Sequence, residues 1–327
     1  MKQQKFLFVE LVSPIFLLIL LISNFLGLLY ILEGNIVFSM LGSIFMVICY
    51  YFDIQLLKKN KEAMLRRKYI HYSLLFWVFF ILLGFVSFIL MAHFINIEFT
   101  CKEQIKSEAT RKINLVDSIA GEYKIRAKSD VQSFNAVLKS KLLKYQQNSN
   151  DVFVKMDLAT YPFSIKNEVL LDPNMRVDDV TNATVAPWEL IIENNIKNLD
   201  TTITRNSGKF QSIFDNWKRL SLVSSYTKLN EYVDENLKMI NSKLKDLPMN
   251  DSLINLSYNK SQLPLNSPIK LYRLYSPNLS IPFIVILVIH LFILIPFFTE
   301  KIRGGYSDSV FKKQSADPLE LENVREI

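Results

Sequence analysis

The sequence predicts an all-α membrane protein: four transmembrane helices and an elongated, mainly helical extracytoplasmic domain. Three observations predict it. Apolar residues gather in four blocks, 6–32, 36–52, 70–97 and 281–298, each near or above the roughly 17 to 25 residues that cross a hydrocarbon core. Past the third block, apolar residues fall three or four apart, the spacing that keeps one helical face apolar. They are Ile105, Ala109, Ile113, Val116, Ile119, Tyr123, Ala127, Val131, Phe134, Leu138, Leu142 and Tyr145. Finally, basic residues crowd one link between blocks and are missing from another, which orients the spans.

The first block is broken only by Glu10 and by Ser23 with Asn24, and it contains Pro14. It is too long, and too soon followed by a second span, for a cleaved signal peptide. The link Glu33, Gly34, Asn35 forces a tight antiparallel hairpin, with Gly34 as the helix stop. The next link, 53–69, is expected to be helical and carries Lys58, Lys59, Lys61, Arg66, Arg67 and Lys68 against Asp53 and Glu62. Lys2 and Lys5 precede the first span; Lys301 and Arg303 follow the fourth. The positive-inside rule puts this link and both termini in the cytoplasm and residues 98–280 outside. The lysine and arginine cluster is read first as a topology signal, second as a surface for anionic headgroups.

No proline interrupts 70–145, so the third span is expected to leave the bilayer and continue as a helical rod of about 60 to 70 Å. A polar cluster from Gln146 to Asp151 ends it. Residues 151–187, with Pro162, Pro173 and Pro187, are expected to form a small non-helical cap of short strands or extended chain. Pro187 then marks a helix start. Apolar runs before and after Gly208, and a third from Tyr226 to Leu247 stopped by Pro248, are expected to pack antiparallel on the rod. Residues 249–280 read as extended chain leading back to the fourth span, 281–298, and a cytoplasmic tail, 299–327.

Region 98–280 holds 25 Lys and Arg against 21 Asp and Glu with no clustered stripe, which argues against a nucleic-acid face. Its histidines give it no catalytic base, because His71, His93 and His290 all lie in or beside spans. The eight glycines are scattered, and no metal, cofactor or nucleophile motif is present. An enzyme and a bound cofactor are therefore not expected. Glu10, Asn24 and His290 are the intramembrane polar candidates. Ionisable groups in lipid often mark ion paths, so a proton-coupled pair of Glu10 and His290 stands against a simpler reading. In that reading Glu10 pairs with Lys5 and His290 hydrogen-bonds another helix. Cys49 lies in the second span and Cys101 just beyond the third; they cannot pair with each other, and Cys101 is a candidate link between copies.

Two classes of function remain. One is a structural, membrane-anchoring subunit of an envelope-spanning complex, whose expected partners are the lipid bilayer, copies of itself, other envelope proteins and a cytoplasmic partner at the tail. The other is a sensor accessory whose outer bundle binds a ligand, with an oligomeric transport subunit third. The order of parts, three spans to Ile97, a large helical outer domain, a span at 281–298 and a short tail, resembles the TssN kind of inner-membrane subunit. That family serves variant type VI secretion systems lacking the usual TssJ, TssL and TssM membrane complex. The resemblance implies a multi-pass protein of a bacterial inner membrane, a periplasmic domain, and assembly with other Tss subunits. It carries no functional residue over.

Overall fold

The computed structural model describes residues 2–61, 70–249, 252–260 and 262–299, without the side chains of 2–10, 70, 72 and 73. All regular structure among the described residues is helical. Four of the helices there are long and apolar enough to cross a membrane: Leu11–Ile31, Ile36–Asn60, Leu74–Thr100 and Ser280–Thr299. The all-α membrane fold read from the sequence is the fold found. The chain divides into two compact units, one of Met1–Cys101 with Pro264–Ile327, the other of Lys102–Leu263.

In the first unit, α1 (Lys2–Ile31) and α2 (Ile36–Asn60) form the expected hairpin. Gly34 sits at φ 84°, where a side chain would be strained, and its N–H donates to the Leu29 carbonyl at 2.8 Å. Helix α3 (Ile70–Ile95) packs on both, and α10 (Ser280–Ile293) closes the group around Leu20, Tyr50, Leu57, Phe80, Ile289 and Ile293. At Gly27 a Cβ would lie 2.5 Å from the Leu90 carbonyl oxygen, so α1 and α3 touch backbone to backbone. A short α9 (Pro268–Leu274) precedes α10, and α11 (Ile295–Thr299) follows it. The fourth span thus bends at Leu294, because Pro296 has no N–H for the Phe292 carbonyl.

Two expectations about these spans need correcting. The second span does not stop at 52: α2 continues to Asn60 with Asp53, Ile54 and Leu57 buried. Nor is 70–145 one unbroken helix. A π-helical turn covers Asn96–Thr100, Cys101 bends the chain, and α4 starts at Lys102. The wider turn buries Asn96, Ile97 and Glu98, and Glu98 accepts a 2.7 Å hydrogen bond from the Tyr30 hydroxyl. A carboxyl at the end of an apolar span gains a partner this way.

The second unit is a three-helix bundle. Helix α4 (Lys102–Gln147) has 46 residues, about 70 Å of helix, and all twelve residues of the expected apolar face are buried. Helix α7 (Val177–Asp215) runs antiparallel to it: Lys139 meets Asp178 at 2.7 Å, Lys124 meets Asp200 at 2.6 Å, and Lys106 reaches the Asp215 carbonyl at 3.5 Å. Helix α8 (Arg219–Lys245) runs parallel to α4, with Tyr226 donating to Glu108 at 2.6 Å near its start and Met249 N–H donating to Asp130 at 3.2 Å past its end. Lys112, 2 % exposed, pairs with Glu108 at 3.0 Å inside this bundle.

The non-helical cap is also corrected. Residues 151–187 hold α5 (Val152–Ala159), α6 (Asn167–Leu170) and the first eleven residues of α7. Asp151 caps α5 by accepting from Phe153 and Val154 N–H at 3.1 Å. Pro187 lies inside α7, not at its start, and the helix passes through Gly208 without a break. The acidic pair Asp178 and Asp179 in the first turn favours the true start at Val177.

Candidate functional site

Four polar residues, one from each span, are joined in a row. Asn24 on α1 donates its amide N–H to Ser87 Oγ on α3 at 3.1 Å. Ser87 Oγ lies 3.1 Å from the Tyr50 hydroxyl on α2, and that hydroxyl lies 2.9 Å from His290 Nε2 on α10. His290 Nδ1 lies 2.7 Å from the Ile286 carbonyl oxygen. Chemistry fixes the direction of every bond. A carbonyl only accepts, so Nδ1 carries the proton of the neutral imidazole and Nε2 is left as the acceptor. Tyr50 then donates to His290, Ser87 donates to Tyr50, and Asn24 donates to Ser87. One row of hydrogen bonds joins all four spans. Asn24 and Ser87 are fully buried, as is Tyr50. Gly84 makes room for the imidazole: a Cβ there would stand 3.1 Å from Nε2.

Two of the three intramembrane candidates, Asn24 and His290, are therefore brought together, through Ser87 and Tyr50. The side chain of Glu10 lies outside the described residues, and so does its suggested pairing. A proton delivered along the row would end on the Ile286 carbonyl, which holds no exchangeable proton. The row is a set of interhelical hydrogen bonds of the kind that hold helices together in a bilayer.

Of the basic cluster, Arg66, Arg67 and Lys68 lie outside the described residues. Lys61 does not face lipid freely. Its ammonium donates to the Phe297 carbonyl at 2.6 Å and stands 5.0 Å from the Phe297 ring centroid, at the C-terminal end of α11. Lys58 is half-buried and Lys59 is exposed. Cys101 is fully buried, its thiol 3.8 Å from Asn96 Oδ1, and burial pushes that thiol up to about 11. It is thus ill placed to join copies. Cys49 is half-buried and forms no disulfide.

In the second unit the notable polar feature is a strap. Residues 252–260 and 262–263 run extended along α8 in the reverse direction, and α8 side chains supply the hydrogen bonds a sheet would give. Asn241 accepts from Ile254 N–H at 2.8 Å and donates to the Ile254 carbonyl at 3.2 Å. Asn230 donates to the Lys260 carbonyl at 2.9 Å, and Leu263 N–H donates to the Tyr226 hydroxyl at 3.0 Å. Asp234 takes Lys260 at 2.7 Å and the Tyr258 hydroxyl at 3.0 Å. The Lys260 hydrogen bond holds the Asp234 carboxyl below its usual range, and burial with the nearby carboxylate pushes Tyr258 up to about 12. Among the described residues no group of three His, Cys, Asp or Glu is placed to hold a metal.

Ser87, Tyr50 and Gly84 were missed by sequence reasoning. Ser87 and Tyr50 are hydroxyls inside apolar blocks, and that is the signal that could have found them. No family model, curated protein or solved structure matches this chain.

Proposed function

We propose that this chain is a structural, membrane-anchoring subunit of an envelope-spanning complex. In this reading the four spans sit in a bacterial inner membrane, both termini face the cytoplasm, and the three-helix unit stands in the periplasm. The observation that carries it is α4: 46 residues whose inward face is buried from Ile105 to Tyr145. A helix of about 70 Å packed along its whole length is a spacer. The hydrogen-bonded row across the spans supports it from the other side, since it makes the anchor a fixed body. The layout is similar to that of the TssN kind, so a type VI secretion assembly is the machine proposed. Copies of the chain and other envelope proteins are its partners, with a cytoplasmic component at the tail.

The test is to purify the tagged chain in mild detergent, determine its native mass and identify what accompanies it. A defined complex containing other envelope proteins is expected. A single chain with no companion overturns the reading and turns attention to ligand binding by the bundle.

A further inference from the structure

Helix α7 ends in a way that its last residues do not favour. Trp217 N–H donates to the Phe214 carbonyl at 3.2 Å, and Lys218 N–H donates to the Ile213 carbonyl at 2.9 Å. This pair of bonds closes a helix through one residue in the left-handed region, a place usually held by glycine. Here Trp217 holds it, at φ 48°. For a bulky side chain that conformation is strained, and strain of this kind clusters at functional sites. The corner between α7 and α8 therefore presents an indole where the backbone alone would favour no side chain.

The indole meets the start of α4. The Lys102 ammonium stands 5.3 Å from the Trp217 ring centroid. Lys102 comes two residues after Thr100, the last residue of a 27-residue span, so at most about 7 Å of chain separates the two. A span of that length passes through the hydrocarbon core into the headgroup layer. Trp217 is thus tied to a residue at headgroup level, where indoles are enriched because one part is apolar and the other wet. Leu220, three residues on, is 51 % exposed.

Charge completes the surface. Residues 102–106 and 215–220 carry Lys102, Lys106, Lys218 and Arg219 against Glu103 and Asp215. Lys218 and Arg219 are exposed, and Lys106 reaches the Asp215 carbonyl at 3.5 Å, joining the corner to the start of α4. We infer that this corner is a membrane-surface anchor. Trp217 and Leu220 enter the bilayer interface, and the lysines and arginine meet anionic phospholipid headgroups. The occupant is lipid because the covalent link from the span keeps Lys102, and with it Trp217, at the bilayer surface. This rests on the four spans and not on the scaffold role.

The full chain in lipid nanodiscs provides the test. Its tryptophan emission is compared with that of a Trp217→Phe chain, so that the difference belongs to Trp217 among the three tryptophans. With phosphatidylglycerol present, lipid brominated at the upper acyl carbons is expected to quench that difference, while aqueous iodide leaves it. Lys218→Glu with Arg219→Glu, both at exposed sites, is expected to reverse the pattern, as is a bilayer of phosphatidylcholine alone. Emission open to iodide and untouched by brominated lipid overturns the inference. So does quenching by brominated lipid that is unchanged by leaving out phosphatidylglycerol or by the charge reversals.

Discussion

At the scale of single residues, the Tyr50 hydroxyl joins three spans, since it accepts from Ser87 and donates to His290. Interhelical hydrogen bonds in bilayers average about 0.6 kcal/mol and reach about 1.7. Tyr50→Phe removes two of them and leaves the Ser87 hydroxyl proton and the His290 Nε2 without partners, while Ser87 still accepts from Asn24. A loss of about 1–2 kcal/mol is expected in unfolding of the detergent-solubilised chain. Adding Ser87→Ala is expected to deepen the loss, because Ser87 also accepts from Asn24 and its removal orphans that buried amide in turn. Asn24 and His290 are conspicuous in the sequence because they are polar within apolar blocks. Their connection is not, because spacing along a helix says nothing about which helix lies across from it. Asp53 was hidden differently: ending the second span at Phe52 made a buried carboxyl look like part of a charged link.

At the scale of elements, the apolar face of α4 was legible residue by residue because a three-and-four repeat needs no tertiary information. The start of α7 was obscured by giving Pro187 too much weight. Val177, Thr181, Val185, Trp188, Ile192, Ile196, Leu199 and Ile203 step by three or four straight through it, and tertiary packing of that face outweighs one missing hydrogen bond. Gly208 reads as a breaker in the sequence for a similar reason. A Cβ at Gly208 meets nothing within 4 Å, so Gly208→Ala is expected to stabilise the bundle by about 0.5–1 kcal/mol, read as a raised Tm.

The strap is an element no periodicity could reveal, because its partners are the side chains of Asn230, Asp234 and Asn241 on α8. Its behaviour with pH has a definite sign. Asp234 has a lowered carboxyl in the folded chain, so its contribution is full above the ordinary value of 3.8 and fades as the pH drops below it. Hydrogen-exchange protection of 252–260, corrected for intrinsic rates, is expected to fall on acidification below that value. Asp234→Asn is expected to remove the pH-dependent part while leaving the Asn241 clamp on Ile254.

For the whole molecule, the four blocks of the sequence announce the spans, because length and hydropathy alone decide what can cross a bilayer. Which side each link occupies is an expectation from charge asymmetry, and the scaffold reading depends on that assignment. The most direct measurement is thiol accessibility in a chain carrying Cys49→Ser and Cys101→Ser. Phe153 in α5 is 86 % exposed, and Lys59 stands at the end of α2. In spheroplasts with an intact inner membrane, a membrane-impermeant maleimide is expected to label a Phe153→Cys chain at once and a Lys59→Cys chain only after permeabilisation. Labelling in the opposite order would put the three-helix unit in the cytoplasm and contradict an envelope-spanning role.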